Sequence, residues 1–207
     1  MGCYSFHETK NYICGEGGAL CINDERFLRR AEIIRDKGTN RQQFFRGEVD
    51  KYTWVDVGSS YVPSEIVAAF LFGQLEMLDP IAERRTAIAR RYRQLLAPLA
   101  EAGRFRLVAE AADRQGNHHM FYLVLSNADA RPGLLAFLRE RAIHETFHFA
   151  PLHESEMARR LGLTTGPLPH TEAVARRIVR LPFFYEMTDD QQCRVANALG
   201  EYFGAAA

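Results

Sequence analysis

The stretch from Val67 to Leu99 leaves this chain little choice about its centre. Val67, Phe70, Leu71, Leu75 and Leu78 recur at helical spacing, and so do Ile81, Ile88, Tyr92, Leu95 and Leu99. Asp79 and Pro80 stand between the two stripes. Proline lacks the bonding N–H and biases the residue before it away from helix, so two helices are expected to meet there. Arg84, Arg85, Arg90, Arg91 and Arg93 fall off the second stripe and read as a solvated face. The rival reading, a nucleic-acid patch, has to disregard the balance of 26 Lys+Arg against 26 Asp+Glu. With 47% hydrophobic and 25% charged residues, a 207-residue chain can bury a core without staples.

Before this centre, Ala19 to Ile22 is a short apolar run between Gly17-Gly18 and Asn23-Asp24, which predicts a buried strand. Asn23 or Asp24 then caps a helix facing inward through Phe27, Leu28, Ala31 and Ile34, and Gly38 ends it. Thr39 to Asp56 has no clean period and reads as a long structured loop. Beyond Arg104, strands are predicted over Phe105–Val108 and Met120–Leu125, with a helix around Leu134–Leu138. Ile143 to Phe149 alternates, with Ile143, Phe147 and Phe149 on one side and His144, Thr146 and His148 on the other. Thr188 and Gln191 form a capping box for a last helix that turns Ala196, Leu199 and Phe203 inward. This half reads as a small α+β domain.

Among residues that could carry chemistry, Ser5-Phe6-His7-Glu8-Thr9-Lys10-Asn11 comes first. Lysine is scarce here: only Lys10, Lys37 and Lys51 occur, against 26 − 3 = 23 arginines. Lys10 reads either as a surface lysine or as a nucleophilic amine whose pKa is lowered by partial burial. Gly15-Glu16-Gly17-Gly18 permits tight turns or a close backbone approach to a ligand. Adjacent His118 and His119 would point to opposite faces of a strand, poor geometry for one metal, and no metal-binding spacing occurs. Trp54 and the Phe44-Phe45 pair read as packing or interface residues rather than base-stacking platforms. Cys3, Cys14, Cys21 and Cys193 show no disulfide framework, and reduced thiols fit a cytoplasmic protein. No run of about 18 uncharged apolar residues predicts a membrane span, and MGCYSFHETK lacks a signal layout.

Taken together, SFHETKN and GEGGALCIND resemble the DegT-type sugar aminotransferases, pyridoxal-phosphate enzymes that aminate nucleotide-linked keto sugars. Arg30 to Tyr61, Phe147 to His153 (FHFAPLH) and Arg180 to Thr188 (RLPFFYEMT) resemble the same family and follow in its order. The resemblance implies that Lys10 forms the Schiff base with pyridoxal 5'-phosphate and that Ser5 contacts its phosphate. Where many members carry an asparagine that reaches a partner's cofactor phosphate, this chain has Val62 in Gly58-Ser59-Ser60-Tyr61-Val62. That contact is lost or passes to Ser59 or Ser60; alternatively these serines cap the following helix. His148 matches a family histidine on the substrate side of the cofactor, or is simply a polar strand residue.

The implied fold is α/β, the C-terminal part of a PLP-dependent, aspartate-aminotransferase-like transferase. Residues 1–79 would be the remnant of the large cofactor-binding domain and 80–207 the small α+β domain. The implied reaction moves an amino group, usually from glutamate with release of 2-oxoglutarate, to the C4 ketone of a dTDP-linked 4-keto-6-deoxy sugar. A homodimer with shared sites and a cytoplasmic location are implied, with no membrane and no nucleic acid as partners. In this family the lysine lies mid-chain, so this chain resembles the C-terminal half only, and alone it is expected to be catalytically incomplete.

Overall fold

The computed structural model describes residues 1–144, 148–163 and 166–204 of the chain. Two compact units, Met1–Pro80 and Ile81–Ala207, divide it.

In the first unit, β1 (Gly2–Ser5) and β2 (Gly18–Cys21) pair antiparallel with Gly2 opposite Cys21 and Ser5 opposite Gly18. The apolar run read as a buried strand is therefore a strand, but all four residues of β2 are exposed. A strand is buried only when other layers cover it, and among the described residues β2 has β1 alone beside it. Asp24 accepts the N–H of Arg26 and opens a 3₁₀ turn at Glu25–Phe27, which runs into α1 (Leu28–Arg35). Ile33 is the buried residue of α1, so its inward face is one position off the expected stripe. The loop read over Thr39–Asp56 contains a short helix, α2 (Arg41–Phe45). Gly38, at φ +76°, is where the chain turns back: its carbonyl accepts the N–H groups of Val55 and Asp56 at 2.8 and 3.0 Å. A side chain at Gly38 would run into the Asp56 carbonyl, so glycine is required twice over.

The two central helices are α3 (Glu65–Glu76) and α4 (Leu78–Glu101), and the break falls at Met77, beside the predicted Asp79-Pro80. Pro80 occupies the first turn of α4, where its missing N–H has no intrahelical partner to lose. No residue of α3 is buried, although its sequence is apolar almost all round.

In the second unit, α4 lies against a three-stranded antiparallel sheet of order β3 (Phe105–Leu107), β4 (Phe121–Leu125), β5 (Ile178–Leu181). Between β4 and β5 come α5 (Ala130–Glu140), α6 (Glu156–Arg160) and α7 (Pro169–Arg177); α8 (Asp189–Gly204) closes the chain. Phe121, Leu123 and Leu125 alternate into a core shared with Ile88, Tyr92 and Leu96 of α4 and Leu134 and Leu138 of α5. Val195, Leu199 and Phe203 of α8 complete it. The capping box forms as read: Thr188 N–H donates to Gln191 Oε1 at 2.8 Å, and Gln191 N–H to Thr188 Oγ1 at 3.2 Å.

The arginines off the α4 stripe correct the solvated-face reading. Arg85 is 9% exposed and donates to the carbonyls of His118 and His119 at 3.0 and 2.6 Å. Arg84 donates to the carbonyls of Tyr185 and Met187. Arg91 pairs with Asp189 at 3.3 Å and Arg93 with Glu110 at 2.8 Å. Only Arg90 of the five is plainly exposed. His118 and His119 lie outside any strand, with His118 at φ 46°, and it is their carbonyls that accept from Arg85. The alternation read over Ile143–Phe149 falls partly on 145–147, outside the described residues. Ile143 is buried and Phe149 is 81% exposed, so these two do not share a side.

Candidate active site

Lys10 stands exposed at the end of the hairpin that β1 and β2 begin. The ladder continues past the strands: Phe6 N–H donates to Gly17 O, Cys14 N–H to Phe6 O and Glu8 N–H to Gly15 O, all at 2.8–2.9 Å. Lys10 N–H then donates to His7 O at 2.9 Å, closing a turn. Thr9 N–H donates to His7 Nδ1 at 3.1 Å, which leaves the ring proton on Nε2, facing Glu16 at 3.5 Å. His7 thus shapes the turn that presents Lys10, a role sequence reading did not assign. Its signal was the His-x-Thr spacing, which a side-chain-to-backbone bond two residues on requires.

Gly17 and Gly18 are required by the hairpin itself. A Cβ on Gly18 would lie 2.7 Å from the Tyr4 carbonyl, and one on Gly17 would lie 2.5 Å from Cys14 Sγ. Cys14 is buried there, its thiol 3.4 Å from the Glu16 carbonyl. Ser5 is the last residue of β1 and exposed, its Oγ 3.5 Å from His7 N.

Ser59 and Ser60 are held elsewhere in the same unit, on the C-terminal end of α1. Ser59 N–H donates to Ile34 O at 2.9 Å, Lys37 N–H donates to Ser59 O at 3.0 Å, and Ser60 bridges Asp36. Their backbones are fixed and both residues are exposed. Neither caps the next helix: Ser64 does, accepting Val67 N–H at 3.3 Å.

His148 belongs to the second unit. It is half-buried, packs edge-on against Phe149 with ring centroids 5.9 Å apart, and its Nδ1 is buried without a hydrogen-bond partner among the described residues. Five residues on, His153 Nε2 donates to Glu172 Oε1 at 3.2 Å, and the same oxygen accepts Leu168 N–H at 2.8 Å. With both bonds made, the His153, Glu154 and Glu172 cluster reads as a clasp between the Leu152–Glu154 turn and the start of α7. The Leu168 N–H above all, then His153, holds the Glu172 carboxyl below the ordinary range, with Arg176 at 4.0 Å adding to it. A carboxyl depressed in the folded state stabilises above its unfolded pKa and loses that contribution as pH falls through the folded value. Glu172→Gln should therefore lower thermal stability at neutral pH, and the difference from wild type should close in acid, below the ordinary glutamate value of 4.5. Thermal melts of both proteins across that range check it.

The functional groups are of the kinds that pyridoxal phosphate requires, an amine and hydroxyls, though Ser59 and Ser60 stand apart from the hairpin that carries Lys10 and Ser5. Lys10 offers a primary amine to an aldehyde, and Ser5, Ser59 and Ser60 offer hydroxyls to a phosphate. The fold carrying them is half of a PLP-dependent transferase fold. It superposes on DesV of S. venezuelae with a TM-score of 0.83 at 29% identity, covering 97% of this chain and 50% of that one. It also superposes on Spr1654 of Streptococcus pneumoniae in its PLP form, with a TM-score of 0.82 at 20% identity, covering 99% and 52%. At that lower identity the likeness is one of fold.

Residues 1–200 match the profile of the DegT/DnrJ/EryC1/StrS aminotransferase family, and the chain belongs to that family, whose cofactor is pyridoxal phosphate. It is also 30% identical over 202 residues to the pleiotropic regulatory protein of Geobacillus stearothermophilus, covering 97% of this chain and 51% of that protein. The chain thus spans about half the length of the relatives it matches. Among the described residues, no helix is long and apolar enough to cross a membrane.

Proposed function

We propose that this chain is the C-terminal half of a cytoplasmic, PLP-dependent nucleotide-sugar aminotransferase. It would move an amino group from glutamate to the C4 ketone of a dTDP-linked 4-keto-6-deoxy sugar in cell-surface polysaccharide synthesis. The SFHETKN, FHFAPLH and RLPFFYEMT motifs resemble those of dTDP-4-amino-4,6-dideoxygalactose transaminases. The observation that carries the reading is the hairpin presenting Lys10, in a chain matched to the family over residues 1–200.

On this reading residues 1–79 belong to the large cofactor-binding domain and 80–207 form the small domain. The chemistry supplied by bound pyridoxal phosphate is an electron sink that lets a C–H bond beside nitrogen ionise. Lys10 Nζ attaches the cofactor and carries the proton to and from the reacting carbon. Ser5, with Ser59 or Ser60 in place of the asparagine that Val62 replaces, binds the phosphate. His148, whose Nδ1 has no hydrogen-bond partner among the described residues, meets the substrate. The active form is a homodimer with shared sites.

This chain spans about half the length of its relatives, and on this reading the groups that grip the cofactor ring come from an N-terminal half. A nucleic-acid-binding reading would need a cationic surface here, and the charge balance and the arginines committed to carbonyls and carboxylates speak against one.

The test is direct. The chain is combined with a family N-terminal half, and 2-oxoglutarate formation from glutamate is followed with a dTDP-linked and a UDP-linked 4-keto sugar. Turnover on the dTDP sugar supports the reading. Turnover on the UDP sugar alone overturns the substrate assignment. Cofactor that borohydride cannot fix to Lys10 overturns the site.

A further inference from the structure

The contacts that shape the lysine-bearing turn converge on one residue, His7. Its backbone N–H points to Ser5 Oγ at 3.5 Å, and its carbonyl accepts Lys10 N–H at 2.9 Å. Its ring reaches two residues on, where Nδ1 faces Thr9 N at 3.1 Å and Thr9 Oγ1 at 3.0 Å. Across the hairpin, Nε2 faces Glu16 Oε1 at 3.5 Å. The backbone of His7 thus links the serine and the lysine that the aminotransferase reading gives to two ends of one cofactor. Glu8, Thr9 and Lys10 are all exposed, so packing does not set this turn and hydrogen bonds do.

An imidazole this close to a reactive lysine has two chemistries open to it. It can move protons, or it can serve as a fixed acceptor. The geometry favours the acceptor. Nδ1 is turned back on its own turn, and a lone pair spent on Thr9 N–H is not free to take a proton from a substrate. Nε2 keeps the ring proton, and its partner among the described residues is the exposed Glu16. A side-chain acceptor for the N–H two residues on is what asparagine supplies in turns. Asparagine Oδ1 is bonded to Cγ as histidine Nδ1 is, so the two acceptors leave the backbone at the same place.

We propose that His7 is a positioning residue for Lys10. Its Nδ1 is a fixed acceptor that holds the Thr9 N–H, sets the turn that aims the Lys10 amine, and transfers no proton itself. The inference rests on the aminotransferase reading and deepens it. Its weight comes from the demands of the reaction: a misplacement of about 1 Å in a reacting group can cost about 10²-fold in rate.

Two substitutions separate the roles. His7→Asn keeps an acceptor for Thr9 N–H and discards the acid–base chemistry of imidazole, whereas His7→Phe keeps a flat ring and discards the acceptor. In this chain alone, Thr9 amide exchange is expected to stay within about threefold of wild type in His7→Asn and to quicken at least about tenfold in His7→Phe. With the chain combined with a family N-terminal half, His7→Asn should keep kcat within about threefold of wild type. His7→Phe should lose at least about tenfold in kcat with KM little changed, because the turn aims the amine and does not bind the sugar.

Turnover lost in both variants makes His7 a proton carrier and overturns the proposal. Turnover kept in both overturns it as well, since other bonds then suffice to aim Lys10. So does a Thr9 amide that exchanges alike in all three proteins. The aminotransferase reading fails by a different sign: cofactor that borohydride cannot fix to Lys10 in wild type. In that case the expected Thr9 pattern shows that His7 holds the turn, while the aim on a reacting amine falls with the reading.

Discussion

Lys10→Ala in the assembled enzyme should lower turnover by about 10²–10⁴-fold, the span that a positioned proton-transfer group commonly contributes. The side chain is exposed, and the turn around it is closed by the backbone N–H of Lys10 and by the His7–Thr9 contact. Alanine keeps those bonds, so the hairpin should persist, and the loss should appear in chemistry rather than stability. Lys10→Arg separates charge from reactivity, because a guanidinium stays protonated and cannot take up the proton. It should be as poor as alanine. Melting temperatures within error of wild type, with turnover lost in both variants, confirm the role. Turnover within twofold of wild type in either variant removes Lys10 from the site.

Arg85→Leu should destabilise the second unit by about 3–5 kcal/mol, read by urea denaturation with an unchanged slope. Arg85 makes two bonds to carbonyls, at His118 and His119, and charge-assisted bonds contribute about 1.5–3 kcal/mol each. Its guanidinium also lies over the Phe183 ring at 4.8 Å. Leucine fills part of the space but leaves two carbonyls without that donor in a segment with no ladder of its own. Arg90→Leu is the control on the same helix: Arg90 is exposed, and its loss should stay within about 0.5 kcal/mol. Equal midpoints for the two variants would mean that Arg85 is as idle as the sequence pattern makes it look.

These two residues mark the limits of reading the chain without its fold. Lys10 stood out as a candidate because a motif is local: the residues of SFHETKN are neighbours along the chain whatever the rest does. The α4 stripe and the Thr188–Gln191 box were legible for the same reason, since helical period and capping depend on residues three and four apart. Strand β5 was missed. Ile178-Val179-Arg180-Leu181 directly follows a helix, and only its pairing with β4 makes it a strand. Ser59 and Ser60 were offered a capping role that Ser64 holds, because the cap falls where the helix actually starts.

By itself, then, the sequence determined the family, the break between the central helices and the existence of β3 and β4. Each follows from neighbours along the chain. Tertiary structure alone decided that Arg85 is a buried clasp, that Gly17 and Gly18 serve the hairpin's own packing, and that β2 and α3 lie open. Burial depends on what else arrives in space, and an apolar residue at the right spacing carries no record of whether its covering layer is present.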